Sequence, residues 1–298
     1  MSLPQQRKKV LVLLTAISLA LAVLLTGCDS GSSGEGQKAE KPKVIRIGMV
    51  NWADCIAMTN VLKVVLEERL GYTVETTFAD IAVIFSSIAQ QDYDLYADAW
   101  LPLTHKDYMD KFAGSLEIIS PTLTGARSGL VVPEYVTIDS ITQLNDHKER
   151  FKSNIIGIDT GAGIMKATNQ AIRDYGLDFE LMASSGPVMT ATLKGAIEKN
   201  EWVVVTGWNP HWKFARWDLK FLDDPKKVYG DEEKGMAVGH TRFRERFPDV
   251  TALLEKFSFT GNQLGAVMGL INDSDKEPYE VARQWVHDNP ELVNKWVD

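Results

Sequence analysis

The chain alternates short apolar runs with longer segments whose apolar residues recur at helical spacing. The runs have the length typical of buried strands, and a recurrence every three or four residues is typical of amphipathic helices. The first such unit predicts strands at 44–50, 73–79 and 93–100 and helices at 56–71 and 83–91. Strands that alternate with helices favour an α/β fold built on a parallel sheet.

The same order of elements recurs in a second unit. It predicts strands at 154–160, 179–185 and 201–208 and helices at 163–176 and 188–200. Trp100 and Trp208 fall at matching points, at the end of the last strand of each unit. The distance from Trp52 to Trp100 is 48 residues and that from Gly161 to Trp208 is 47. Two repeats of this length are too long and too few for a solenoid. They instead predict two similar lobes.

The first 43 residues have the pattern of an export signal followed by a tether. A basic start at residues 7–9 precedes an apolar stretch at 10–25, which is too short to span a bilayer comfortably. Leu25-Thr26-Gly27-Cys28 resembles a bacterial lipobox, which predicts a lipoprotein signal peptide at 1–27 and a lipid on Cys28. An ordinary signal peptide or a short anchor is the alternative. Residues 28–43 are then the lipid anchor and a flexible, Gly- and Ser-rich tether.

Localisation follows from this pattern. A lipid on Cys28 predicts attachment to the outer face of the cytoplasmic membrane, either on the periplasmic side or at the cell surface. By resemblance to Gram-negative lipoproteins, Asp29 would retain the protein on the inner membrane, whereas in a Gram-positive host it would carry no such information. After residue 28 no second apolar span appears in the sequence.

The net charge and the number of cysteines argue against a nucleic-acid partner and against an internal disulfide. The net charge is −8, and it becomes −11 when Arg7, Lys8 and Lys9 are removed with the signal. An acidic chain argues against a nucleic-acid partner. With Cys28 lipidated, Cys55 is the one remaining cysteine, so an internal disulfide is excluded.

Three tryptophans and a glycine-rich turn follow the ends of predicted strands. In open parallel sheets, ligands bind beyond the carboxyl ends of the strands. Trp52, Trp100, Trp208 and the turn Gly161-Ala162-Gly163 all lie there, so two facing lobes would bring them into one cleft. The alternative is that these tryptophans pack the core, as we expect for Trp202, Trp285 and Trp296, and that the glycines form a tight turn.

The chemistry of these groups indicates a small zwitterion. A quaternary ammonium has no N–H to donate, but it is attracted to the faces of aromatic rings. The helix that begins at Gly163 offers free backbone amides to a carboxylate. The combination favours a ligand such as a betaine.

At this point the sequence resembles the glycine betaine-binding proteins of ABC importers for osmoprotectants. The resemblance covers residues 44–298 and is based on GMVNWAD (48–54), DAWLPLTHKDY (98–108), GIDTGAGIM (157–165) and GWNPHW (207–212). It implies a two-lobe α/β fold of periplasmic-binding-protein type II, with the ligand cleft between the lobes. It also implies an ABC permease and its ATPase as partners, no cofactor, no metal and no catalysis.

The resemblance also implies the roles of individual residues. Trp52, Trp100 and Trp208 would form an aromatic cage around the ammonium group. The amides of Gly163 and Ile164 and the side chain of His105 would contact the carboxylate.

The predicted lobes do not follow the repeat boundaries. Residues 124–136 and 233–243 are predicted to cross between the lobes. Lobe 1 is then 44–128 plus 240–298, and lobe 2 is 129–239.

Other functions stay open from the residues alone. Cys55 and His105 are a candidate nucleophile and base for an exported hydrolase, although G-x-S-x-G is absent. The five histidines show no metal-ligand spacing, which argues against a receptor for metal ions. Among binding functions, choline, carnitine and proline are alternative ligands.

Overall fold

The computed structural model describes residues 43–298. The predicted signal peptide, lipid-attachment site and tether therefore lie outside the described residues, apart from Lys43. Within the described part, no helix combines the length and the apolar character needed to cross a membrane.

Residues 43–298 form nine strands: β1 Lys43–Met49, β2 Tyr72–Phe78, β3 Leu95–Leu101, β4 Leu116–Pro133, β5 Asn154–Ile156, β6 Glu180–Met182, β7 Val205–Asn209, β8 Leu219–Phe221 and β9 Glu233–His240. The same residues form eleven α-helices: α1 Ala53–Leu70, α2 Ile81–Ala89, α3 Lys106–Lys111, α4 Gly163–Tyr175, α5 Gly186–Glu198, α6 Lys213–Arg216, α7 Phe243–Arg246, α8 Pro248–Leu254, α9 Gly261–Asn272, α10 Pro278–Asp288 and α11 Pro290–Val297. Two short 3₁₀ helices, Ile141–Gln143 and Asn145–Phe151, connect β4 to β5.

The sheet contains the two predicted parallel groups, joined by strands that run the other way. β1 pairs in parallel with β2 and β3, and β5 pairs in parallel with β6 and β7. The order is β2-β1-β3-β9-β4-β7-β5-β6, with β8 on β4. β9 is antiparallel to β3 and β4, and β4 is antiparallel to β7. The predicted parallel pairing is confirmed within each unit, and the long returning strands β4 and β9 complete the sheet between the units with antiparallel pairing.

Helix ends agree with the local sequence. Gly71 directly follows α1 and Gly176 directly follows α4, and both glycines have a left-handed backbone with φ of 70° and 61°. Only glycine adopts this conformation without strain, which is why the helical pattern stops there. The loop that leads from β5 to α4 is longer than predicted, since β5 ends at Ile156 rather than at residue 160.

The core includes the tryptophans that we assigned to packing. Trp285 and Trp296 are buried and lie against Phe259 at centroid distances of 5.8 Å and 5.5 Å. Trp202 is buried against Phe151, although it precedes β7 instead of lying within a strand. These contacts leave Trp52, Trp100 and Trp208 to be explained by a different environment.

Candidate functional site

One cavity is lined by all six residues that the sequence singled out as ligand-binding. Its volume is about 30 Å³. The lining consists of Trp52, Asp54, Trp100, Thr104, His105, Ser128, Ile158, Ala162, Gly163, Ile164 and Trp208. We call this space the central cavity. The strand ends and the α4 turn therefore meet at one place, as the repeat pattern led us to expect.

Three indole rings form the walls of the central cavity, and two of them are fixed by hydrogen bonds. The Nε1–H group of Trp52 donates to Asp159 Oδ2 at 3.0 Å, and that of Trp100 donates to Asp98 Oδ1 at 2.9 Å. Trp208 is equally buried and stands edge-on to His211, with ring centroids 5.0 Å apart. Because the rings are desolvated and held in place, they present preorganised faces to a cation.

His105 supplies a hydrogen-bond donor whose tautomer is set by the backbone. The amide N–H of Trp100 donates to His105 Nδ1 at 2.7 Å, so Nδ1 is the acceptor and the ring proton resides on Nε2. Burial lowers the pKa of His105 to about 3, so the ring is neutral at physiological pH. Nε2 has no partner among residues 43–298 although it is buried. An acceptor in the central cavity would satisfy it.

The loop before His105 is held by a buried glutamate from β9. Glu233 Oε1 accepts from the amides of Leu103 and Thr104 at 2.7 Å and 2.8 Å. The Thr104 hydroxyl donates to Glu233 Oε2. This carboxylate fixes the path of the chain into His105.

The first turn of α4 also lines the central cavity, next to the loop that contains Thr104. The backbone amides of Gly163 and Ile164 have no acceptor within the helix, because they belong to its first turn. They also lie at the positive end of the helix dipole. The α4 amides and His105 Nε2 together form a donor group suited to a carboxylate.

Two buried carboxyl groups beside the tryptophans were not predicted from the sequence. Asp54 lines the central cavity from the first turn of α1, and Asp98 lies next to it in the middle of β3. Burial raises the pKa of Asp54, and burial together with the charge of Asp54 raises that of Asp98 well above its usual range. Both shifts favour the protonated form of these carboxyl groups. A cation in the central cavity would in turn favour their ionised form.

Cys55 does not contact His105 as a catalytic pair would. Its thiol is fully buried, accepts from the Val50 amide at 3.4 Å and lies 3.9 Å from the hydroxyl of Thr59. Burial raises the pKa of this thiol well above its usual value, so it stays protonated. A protonated thiol without a base is a poor nucleophile.

The remaining aromatic residues of GWNPHW face a different space. His211 and Trp212 line an open groove with Trp217 and with Met268 and Ile271 of α9, and Trp208 borders this groove as well. We call it the outer groove.

Within the described chain, no cluster of three or more His, Cys, Asp or Glu residues is arranged to hold a metal ion.

Comparisons with known proteins place the chain among transport proteins. Residues 43–288 match the family model of the substrate-binding domain of the ABC-type glycine betaine transport system. The glycine betaine/carnitine transport binding protein GbuC of Listeria monocytogenes is 44% identical over 156 residues. That match spans 51% of this chain and 52% of GbuC, about half the length of that relative.

Solved structures show the same fold over a larger part of the chain. Lactococcal OpuAC in a closed complex with glycine betaine is 35% identical with a TM-score of 0.81, and the match covers 86% of this chain and 100% of that one. The glycine/betaine/L-proline-binding protein ProX of Borrelia burgdorferi is 35% identical with a TM-score of 0.82, covering 86% and 97%. The expected periplasmic-binding-protein α/β fold is thereby confirmed. The chain belongs to the family of substrate-binding domains of ABC-type glycine betaine transport systems.

Proposed function

We propose that this protein captures glycine betaine, or a closely related quaternary ammonium zwitterion, outside the cytoplasm and delivers it to an ABC permease. One observation supports this most directly. The central cavity combines three buried indole faces with a separate group of N–H donors, at His105 and at the start of α4. The indole faces suit a cation that has no N–H, and the donors suit a carboxylate.

The arrangement explains why this ligand class is preferred over ordinary amino acids. A primary ammonium is strongly hydrated and needs acceptors for its N–H groups, which indole faces do not provide. The relatives include proteins described as binding glycine betaine, carnitine and L-proline. Carnitine, choline and proline are therefore the competing ligands for this cavity.

Titration calorimetry tests the ligand directly. Purified protein is titrated with glycine betaine, carnitine, choline, proline and glycine under identical conditions. We expect glycine betaine to bind and glycine to give no detectable heat of binding. Binding of glycine as tight as that of glycine betaine would contradict the proposal.

The role is binding without catalysis. The rival function, a hydrolase that uses Cys55 and His105, lacks its nucleophile–base contact, because Cys55 is paired with Val50 and Thr59 and His105 with Trp100. Recovery of unchanged glycine betaine after long incubation with the protein, measured by NMR, tests this. Turnover of the ligand would contradict it.

We further propose that a lipid on Cys28 anchors the protein to the outer face of the cytoplasmic membrane. The support comes from the sequence Leu-Thr-Gly-Cys after an apolar stretch. An acyl chain contributes about 0.8 kcal/mol per buried methylene, so lipidation by more than one chain gives stable attachment. Cell fractionation of the wild type and of Cys28→Ala tests the anchor. Equal solubility of both proteins would exclude it.

A further inference from the structure

Lys213 is a fully buried lysine that the proposed function does not use. It is the first residue of α6 and has 0% exposure. Its ammonium nitrogen has no hydrogen-bond acceptor among residues 43–298. A charged amine buried without a partner is costly, so its position calls for a functional explanation.

The amine of Lys213 lies against a wall of the central cavity. Its Nζ atom is 4.4 Å from the centroid of the Trp208 ring. A Cβ atom on Gly207, directly before Trp208, would lie 3.6 Å from this nitrogen. Lys213 itself does not line the central cavity. The amine therefore contacts Trp208 from outside the space where a ligand would bind.

We propose that Lys213 acts through Trp208, so that binding of a cationic ligand in the central cavity is coupled to loss of the proton from Lys213. This inference rests on the proposed function. Two cations near one indole ring repel each other and compete for the same π-electrons. A neutral Lys213 removes both penalties, and by linkage the ligand favours the neutral form.

The surroundings of Lys213 allow it to titrate near neutral pH. Burial lowers the pKa of Lys213 to about 7, and the negative charge of Asp54 opposes this shift. His211 precedes α6 and accepts from the Lys213 amide at 3.1 Å. Burial and the charge of Lys213 lower the pKa of His211 well below its usual value, so His211 stays neutral.

The titration of other groups near the central cavity can be distinguished from the titration of Lys213. His105, with a pKa of about 3, does not titrate between pH 6 and 9. Burial raises the pKa values of Asp54 and Asp98, and both carboxyl groups are present in the wild type and in a variant of Lys213 alone. A substitution at position 213 therefore isolates the contribution of the amine.

Calorimetry with glycine betaine at pH 6.0, 7.0 and 8.5 tests the coupling. We expect wild-type affinity to rise about tenfold from pH 6.0 to 8.5, as repulsion between two charges roughly 8 Å apart would give. Lys213→Met keeps the length and the apolar stem but has no charge, so its affinity should vary less than twofold. In two buffers of different ionisation enthalpy, the wild type should release up to about half a proton on binding at pH 7, because Lys213 is about half protonated there, and Lys213→Met should release none. Lys199→Met, at an exposed position, should behave like the wild type.

A second measurement needs no ligand. If the folded protein depresses the pKa of Lys213, the unfolded chain binds one proton more between about pH 7 and pH 10, and the unfolding free energy of the wild type rises in that window. In urea, the stability advantage of Lys213→Met should therefore shrink from pH 7 to pH 10. A constant difference would show that Lys213 keeps its proton and would overturn the inference.

The results of these experiments distinguish a failure of the Lys213 coupling from a failure of the proposed function. Glycine betaine binding with parallel pH profiles in the wild type and Lys213→Met would overturn the coupling alone. Absence of glycine betaine binding in both proteins at every pH would overturn the proposed function and, with it, the coupling.

Discussion

The indole rings of the central cavity are held in two different ways. Asp159 and Asp98 accept hydrogen bonds from Trp52 and Trp100, whereas Trp208 is flanked by His211 and by the amine of Lys213. A ring fixed by a carboxylate cannot turn without losing a buried hydrogen bond. Trp208 has no such bond within the described chain, so its position depends on packing.

Replacement of Trp208 by alanine tests the aromatic wall. Trp208→Ala should weaken glycine betaine binding by about 2 kcal/mol or more, roughly thirtyfold, because a desolvated π-face is lost and water enters. Trp208→Phe keeps a smaller face and should fall between the alanine variant and the wild type. Tryptophan fluorescence or calorimetry measures both.

The control for this variant is a tryptophan outside the central cavity. Trp285 packs against Phe259 and Trp296 in the core. Trp285→Ala should lower the unfolding free energy by about 3–5 kcal/mol and leave the affinity of the folded protein unchanged. Wild-type affinity in Trp208→Ala would mean that GWNPHW is a packing motif.

His105 should contribute through its Nε2–H group. His105→Phe keeps a ring beside Trp52 but removes the donor, so glycine betaine affinity should fall by about 1.5–3 kcal/mol, the value of a charge-assisted hydrogen bond. His105→Gln restores an N–H donor and should recover part of the loss. Because the pKa of His105 is about 3, this contribution should not change between pH 5 and pH 8. Calorimetry over that pH range measures the affinities. Wild-type affinity in both variants would refute the contribution of the His105 donor to binding.

The sequence predicted the site residues that belong to recognisable motifs. It did not predict the polar residues that become buried beside the site only when the chain folds. Trp52, Trp100 and Trp208 could be identified because each comes at or just after the end of a strand. Asp54 and Lys213 look like ordinary surface residues at the starts of helices. Their burial results from the packing of distant segments around them, which local sequence does not encode.

At the level of elements, the start of α4 is in close contact with the loop before α3. A Cβ atom on Gly163 would lie 2.0 Å from the carbonyl oxygen of Thr104. This separation is far below van der Waals contact, and a backbone oxygen cannot move aside easily. The approach of α4 to this loop therefore requires glycine at position 163.

Gly163→Ala should prevent this approach. Overpacking of this kind costs about 1–3 kcal/mol, so glycine betaine affinity should fall about tenfold to a hundredfold. Gly195→Ala is the matched control, because a Cβ atom at this position in the last turn of α5 would meet no atom within 4 Å. That control should be stabilised by about 0.5–1 kcal/mol and bind normally. Calorimetry and urea unfolding distinguish the two, and equal affinities would contradict the steric argument.

The alternation of strands and helices could be predicted within each repeat, but the strands that join the repeats could not. β4 was expected as a crossing segment at 124–136, yet it runs from Leu116 to Pro133. Its pairing with β9 is interrupted by register shifts near Ser120, Leu123 and Ala126. Such shifts break the two-residue alternation by which a strand is recognised, and Pro121 and Gly125 look like the residues of a turn.

At the scale of the whole molecule, the two predicted lobes touch across the central cavity. The Trp52 indole donates to Asp159, and the Tyr108 hydroxyl donates to the carbonyl oxygen of Gly161 at 2.8 Å. Exposed ion pairs join Lys166 to Asp107 and Arg216 to Asp273. Exposed pairs contribute little to stability. Without a ligand, this closed arrangement should therefore be only marginally favoured.

A ligand that touches both lobes should shift the population towards the closed form. Trp52 and Trp100 come from one predicted lobe, and Gly163, Ile164 and Trp208 come from the other, so the ligand completes its contacts only when the lobes meet. Small-angle X-ray scattering should show a smaller radius of gyration with saturating glycine betaine than without it. Gly163→Ala should show no decrease at a ligand concentration that saturates it, because its added methyl group meets Thr104 before closure. An unchanged wild-type radius at saturation would mean that binding requires no movement of the lobes. A permease would then have to recognise the loaded protein by something other than its closed shape.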